Sequence, residues 1–248
     1  MLTKELNNIV DLYYSDSTYL SSINSKVNEL ITIFKKKSLK KFTQKDIEKY
    51  IKVLKIEHNN TNATINSKLC FLSKCLKYNQ VNLVIPFQKV VNKNKSIITS
   101  EQLQVLLQSF KDNKELIQFV NIAYYTGLRA NEILRIRYSH IIKDNNYYFI
   151  NLYNTKNHKD NLIPVTPKLN KILDDFIEFS IDYKQVYYQL KKQGINAHQF
   201  RHTFITKCYE QGLDSFSIMR LTNQSSLSVH QRYVHHSNKQ LINAIDKL

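Results

Sequence analysis

The sequence predicts a mainly α-helical protein with one small antiparallel β-sheet, organised as an N-terminal helical domain and a larger C-terminal domain. Three observations lead to this class. Apolar residues recur at helical spacing through most of the 248-residue chain, strand-like alternation is confined to one central region, and a composition shift at 85–98 separates the two parts. Hydrophobic residues make up 42% of the chain, which marks it as globular and large enough to bury a core.

The first 80 residues read as four helices. Residues 17–37 carry Leu20, Ile23, Val27, Leu30, Ile31 and Phe34 on one stripe. Thr43 with Asp46 three residues on reads as a helix start ahead of Ile47, Tyr50, Ile51 and Leu54. Residues 62–78 repeat the pattern through Ile65, Leu69, Leu72 and Leu76. The expected domains are 1–84 and 99–248, with 85–98 (one proline, clustered lysines) as the linker. Thr99 opens a helix bearing Leu103, Leu106, Leu107 and Phe110, and residues 115–125 form another that Gly127 stops. NNYYFINLY at 145–153 and LIPVT at 162–166 read as strands. Further helices are predicted at 167–180, 184–193, 198–211, 214–221, 226–234 and 238–247.

The charge narrows the partner. A net charge of +16 favours a polyanion, with nucleic acid the first choice. Residues 1–95 hold 17 Lys, no Arg and 7 acids, a net of +10; all six arginines lie after residue 128. With Lys so dominant, each Arg is a candidate for bidentate phosphate binding, which Lys cannot supply. KKKSLKK at 35–41 reads as an exposed basic turn, so Lys35, Lys36, Lys37, Lys40 and Lys41 are candidate phosphate contacts, as are Lys93 and Lys95 in the linker. No apolar run of membrane-spanning length occurs. The N-terminus lacks the pattern of a signal peptide, so a cytoplasmic location is expected. The three cysteines, Cys70, Cys75 and Cys208, form no CxxC pair and read as reduced, partly buried residues.

The chemistry concentrates in the second half. HQFRHTFIT at 198–206 places His198 and Arg201 three apart on a predicted helix, hence on one face. SSLSVHQRYVH at 225–235 ends near Tyr233, a candidate nucleophile. A phenol beside guanidinium and imidazole groups suits attack on a phosphodiester, where the nucleophile must be activated and the pentacoordinate phosphorus neutralised. His198 and His202, four apart, also have the spacing of a zinc pair, but Gln199 stands where a metalloprotease helix needs Glu and no third ligand is evident. No metal or other cofactor is therefore expected.

With TGLRANEILRIR at 126–137, these segments resemble the catalytic domain of the tyrosine recombinases, the phage-integrase and Xer family. The specific motifs cover roughly 98–240. The resemblance implies that Arg129 and Arg201 clamp the phosphate, that His198 accepts a proton or hydrogen-bonds near it, and that Glu132 orients an arginine or histidine. It further implies that Lys156, on the hairpin TKNHKDNLIPV, protonates the leaving 5′ oxygen, while His202 packs or bonds within the site. Tyr233 would form a 3′-phosphotyrosyl link whose retained bond energy permits religation without ATP. A free phenol titrates near about 10, so the surrounding cations must assist it. By the same resemblance the N-terminal bundle is a core-binding domain, both domains clamp duplex DNA bearing recombination sites, and a tetrameric synapse forms through the C-terminal tail. An accessory protein is left open.

One departure stands out. Counting back from Tyr233, the family's LxGH motif falls on Leu221-Thr222-Asn223-Gln224, so Gln224 replaces the usual His or Trp and Asn223 the usual Gly. Gln can still donate to a phosphate oxygen, and Asn tolerates a left-handed turn. Two other readings remain: a catalytically impaired DNA-binding relative, and a relaxing enzyme resembling type IB topoisomerases.

Overall fold

The structure is a computed structural model, and it describes residues 2–15, 20–35, 37–90, 96–152 and 161–224. Contacts divide the chain into two compact units, Met1–Lys93 and Asn94–Leu248. The architecture is mainly helical with one three-stranded antiparallel sheet. No helix among the described residues is long and apolar enough to cross a membrane.

The first unit packs α1 (Leu2–Tyr14), α2 (Leu20–Phe34), α3 (Gln44–Lys52) and α4 (Asn62–Tyr78) around one core. Leu6, Leu30, Ile47 and Leu69, one from each helix, are fully buried there. Acidic side chains organise the connections. Glu5 of α1 receives the Ser38 hydroxyl at 2.6 Å and the Leu39 N–H at 2.8 Å, which fixes the basic turn between α2 and α3. At the start of α3, Asp46 accepts the Thr43 N–H at 2.7 Å and hydroxyl at 2.9 Å, as a capping acid should. The Lys37 ammonium lies 2.7 Å from both Asp46 oxygens. Burial opposes ionisation of Asp46, but the bonds from Lys37 and Thr43 outweigh it and hold its carboxyl below the usual range. Lys35, Lys40 and Lys41 are exposed; Lys37 is instead committed to an ion pair. Lys36, Lys93 and Lys95 lie outside the described residues.

Residues 85–90, expected as linker, are docked. Ile85 packs on the first core, Asn66 pairs with the Gln88 N–H and carbonyl at 2.7 and 2.8 Å, and Asn62 donates to the Lys89 carbonyl at 2.8 Å. At the other end Ile98 is buried in the second core, its N–H bonded to Thr203 at 2.8 Å. Side chains distant in sequence, which composition cannot reveal, satisfy this irregular backbone.

The second unit contains α5 (Ser100–Ser109), α6 (Lys114–Thr126), α7 (Ala130–Ile133), the strands β1 (Ile141–Asp144), β2 (Tyr147–Leu152) and β3 (Asn161–Val165), then α8 (Asn170–Asp174), α9 (Tyr183–Lys192), α10 (Ala197–Glu210) and α11 (Ser215–Leu221). The sheet order is β1-β2-β3, with Ile150 opposite Ile141 on one side and Ile163 on the other. Tyr148, Ile150 and Leu152 of β2 face the core. Two expectations need correction. The sheet has a third strand: Asn145, left-handed at φ +52°, turns β1 into β2, so Asn145 and Asn146 are a hairpin turn and not the start of a strand. β1 was hidden because IIKD is too short to show alternation. The helix expected over 167–180 ends at Asp174 after a 3₁₀ turn at Pro167–Leu169. Beyond it, the Gln118 amide pairs with both the Ile177 N–H (2.9 Å) and carbonyl (2.8 Å). Glu115 then takes the Ser180 and Ile181 N–H groups at 2.8 and 3.1 Å. These partners on α6 let Phe176 and Phe179 bury without a helix. Among the cysteines, Cys70 is exposed, while burial pushes the Cys75 thiol to about 12 and the Cys208 thiol to about 11.

Because folded Asp46 titrates below its ordinary 3.8, the stability it contributes is present above that pH and is lost as pH falls through the lowered value. Asp46→Asn is expected to flatten the acid limb of a urea-unfolding profile below about pH 4, with little change in slope near neutrality. An acid limb as steep as that of the unmodified chain would contradict this.

Candidate active site

The site is built where α6 ends. Gly127 adopts φ +64° and closes the helix by donating to the Ala123 carbonyl at 3.0 Å. Glycine is required twice over: a Cβ here would sit in the left-handed region and 2.6 Å from Cδ1 of Phe204 on α10. The missing side chain lets α10 approach the turn. Thr126 supports it from within, donating to the Ile122 carbonyl at 2.6 Å and accepting the Leu128 N–H at 3.2 Å.

Arg129 follows as the residue that begins α7, and Glu132, three residues on, serves it with both oxygens. One accepts the Arg129 backbone N–H at 2.8 Å and the other the Arg129 Nη1 at 2.7 Å. Glu132 thus orients both main chain and guanidinium. The Arg129 side chain is 43% exposed, so its cation faces solvent while remaining held.

Helix α10 brings the second arginine. Asn196 caps it, accepting the His198 N–H at 2.8 Å. Gln199 returns the favour by accepting the Asn196 N–H at 2.5 Å, and it also donates to the Ser96 hydroxyl at 2.6 Å. The residue that spoiled a zinc motif is therefore a capping residue. Arg201 is only 4% exposed. Its Nη1 donates to the Gly127 carbonyl at 2.9 Å and its Nη2 to the Thr222 carbonyl at 2.5 Å. A buried guanidinium needs such acceptors, and these two backbone carbonyls are among them.

The third component is the turn after α11. Thr222, fully buried, donates from its hydroxyl to the Ile218 carbonyl at 2.7 Å. Asn223 is left-handed at φ +50°, and its carbonyl accepts Arg129 Nη1 at 3.0 Å. Gln224 closes the turn through its N–H to the Met219 carbonyl at 2.9 Å, and its Oε1 lies 3.4 Å from the Thr222 hydroxyl. Arg129, Glu132, Arg201 and Gln224 are thereby drawn to one place, with the two arginines bonded to carbonyls of consecutive residues. His198 stands exposed on the first turn of α10 and His202 is half-buried one turn further along. Tyr233 and Lys156 lie outside the described residues. Sequence reading missed the carbonyls of Gly127, Thr222 and Asn223 as arginine acceptors. No signal in a sequence marks them, because every residue carries a carbonyl.

The sequence and fold are similar to those of known proteins. Residues 96–186 match the phage integrase family, a stretch that takes in Arg129 and Glu132 and ends ahead of α10. Tyrosine recombinase XerA of Saccharolobus solfataricus is 26% identical over 227 residues, covering 82% of this chain and 77% of that protein. A tyrosine recombinase of Pseudothermotoga lettingae is 24% identical over 243 residues, covering 85% and 84%. Among solved structures, the Tn1549 transposon integrase in complex with circular intermediate DNA aligns with a TM-score of 0.77 at 14% identity over 99% of both chains. A lambda integrase tetramer bound to a Holliday junction aligns with a TM-score of 0.74 at 15% identity over 94% of this chain and 76% of that one. Residues 96–186 thus match the phage integrase family, and the chain over most of its length is similar to tyrosine recombinases.

Gly127→Ala is expected to destabilise the protein by roughly 1–3 kcal/mol, from left-handed strain plus overpacking against Phe204. A cycle with Phe204→Ala checks the second contribution: the double variant should recover part of the loss measured for Gly127→Ala, whereas strict additivity would mean that the two residues do not compete for space.

Proposed function

We propose that this chain is a site-specific recombinase that cuts and rejoins duplex DNA through a phosphotyrosyl intermediate, with Tyr233 as nucleophile. The observation that carries it is the tethering of Arg129 and Arg201 to adjacent carbonyls of the 222–223 turn. Acceptors on adjacent residues bring the two guanidiniums to one turn, and a phosphodiester is an anion that their fork geometry fits. The sequence that carries Tyr233 begins directly after this turn.

In this reading the Tyr233 oxygen attacks phosphorus, its proton passing to His198 or to water. The bond from phosphorus to the 5′ oxygen breaks, and that oxygen takes a proton from Lys156. The products are a 3′-phosphotyrosyl link and a free 5′ hydroxyl. Attack by a 5′ hydroxyl from a second strand reverses the steps, so neither ATP nor a metal ion is consumed. Arg129 and Arg201 hold the nonbridging oxygens as charge develops, with Glu132 orienting Arg129, Gln224 adding a neutral donor, and His202 bracing the same helix face.

The Tn1549 integrase was solved with circular intermediate DNA, and lambda integrase as a tetramer on a Holliday junction. By analogy the partner here is duplex DNA with specific sites, and four copies form the synapse. Residues 1–84 act as the DNA-holding domain and 99–248 as the catalytic domain, working in the cytoplasm. Lys35, Lys36, Lys40, Lys41, Lys93 and Lys95 supply phosphate contacts, with Lys37 secondary because Asp46 already neutralises it.

A nicked suicide substrate built from the cognate site tests the reading. The chain is expected to form a covalent DNA adduct in the presence of a metal chelator, and Tyr233→Phe to form none. Arg201→Lys, which cannot span two carbonyls and a phosphate, should lower adduct yield by at least about 100-fold. Cognate-site binding without an adduct would instead indicate an impaired relative, and plasmid relaxation without strand exchange a topoisomerase-like enzyme.

A further inference from the structure

We infer that Asn223 is a positioning residue that sets both phosphate-binding arginines at once; this rests on the recombinase reading of the same site. Three attachments meet at this residue. Its backbone is left-handed at φ +50°, which lets the Gln224 N–H reach the Met219 carbonyl at 2.9 Å and its own N–H the Arg220 carbonyl at 3.3 Å. That double closure is the Schellman arrangement that ends a helix. It turns outward the next two carbonyls, those of Thr222 and Asn223, and these are the ones that receive Arg201 at 2.5 Å and Arg129 at 3.0 Å. The Asn223 amide nitrogen lies 3.4 Å from Glu132 Oε1, the same oxygen that binds Arg129 Nη1 at 2.7 Å.

The physical logic is that of unsatisfied acceptors at a helix C-terminus. The carbonyls of Thr222 and Asn223 lie just past the closed end of α11, have no helical partners and sit at the negative end of its dipole, so cations are the natural partners. Here both partners are arginines, brought from α10 and from the start of α7. The Thr222 carbonyl lies in the peptide before the Asn223 Cα and the Asn223 carbonyl in the peptide after it, so the backbone angles of Asn223 fix the two acceptors relative to one another. The two guanidiniums are thus set relative to one another by one backbone conformation, and Asn223 is the residue that adopts it. Asparagine suits the position because it tolerates φ above zero better than other residues with a Cβ and can also reach Glu132. Glycine would keep the backbone geometry and lose only the weaker amide contact.

The test compares Asn223→Ala and Asn223→Gly with the unmodified chain in three measurements. These are thermal unfolding, single-turnover adduct formation at saturating cognate DNA alongside DNA affinity, and the ¹⁵N–¹H side-chain resonances of Arg129 and Arg201 without DNA. Asn223→Ala is expected to shift both arginine resonances and to slow adduct formation by roughly tenfold or more, because misplacement of a held group by a fraction of an ångström is costly. Its DNA affinity should change by less than about twofold, since affinity rests on many phosphate contacts. Asn223→Gly should return both resonances and the rate to within about threefold of the unmodified chain, because glycine adopts the same backbone. Unmoved arginine resonances in a folded Asn223→Ala overturn the inference, as does a loss of rate matched by an equal loss of affinity. If the resonances respond as expected while the unmodified chain forms no adduct, the positioning role stands and the recombinase reading fails.

Discussion

The approach of α10 to the turn at Gly127 is the constraint on which the C-terminal unit depends. Phe204 occupies the space that any side chain at residue 127 would need, and one helical turn earlier Arg201 donates to the carbonyl of the same glycine. One residue without a Cβ therefore ends α6, admits α10 and accepts the buried arginine. Its left-handed conformation also directs the chain into Leu128 and Arg129, so the first arginine is placed by the same turn that receives the second.

Burying a guanidinium is costly unless its donors are met. Carbonyls solve this: they accept hydrogen bonds as dipoles and leave the net charge in place. The exposed Arg129 can tolerate Glu132 because solvent screens the pair and because the guanidinium has further donors. Arg129 is thus held by a carboxylate near the surface, and buried Arg201 donates to main-chain carbonyls.

The same economy appears away from the site. Much of the irregular backbone is held by single polar side chains that satisfy two main-chain groups: Gln118 for Ile177, Glu115 for Ser180 and Ile181, Asn66 for Gln88. A carboxamide matches an N–H and a C=O simultaneously, as a neighbouring strand would, so chain segments become ordered without regular structure. Asparagine is used structurally in this way or at left-handed turns and caps at Asn62, Asn66, Asn145, Asn196 and Asn223.

The sequence by itself determined the helices and their caps, because periodicity and capping residues are local physics. Thr43 with Asp46, Thr99 with Gln102, and the stop at Gly127 act over three or four residues, and the structure has them. The basic balance and the residue types of the site were equally legible, since charge and functional groups do not depend on folding. Tertiary structure alone decided where helix gives way to extended chain after Asp174, because Gln118 and Glu115 lie some 60 residues away. It alone decided that Lys37 is paired, and that Arg201 is buried against Gly127 and Thr222 whereas Arg129 stays exposed. Those outcomes depend on backbone carbonyls and empty space at a glycine, which every sequence contains and none marks. Only the packing of α10 against α6 and the turn of α11 turns them into a site.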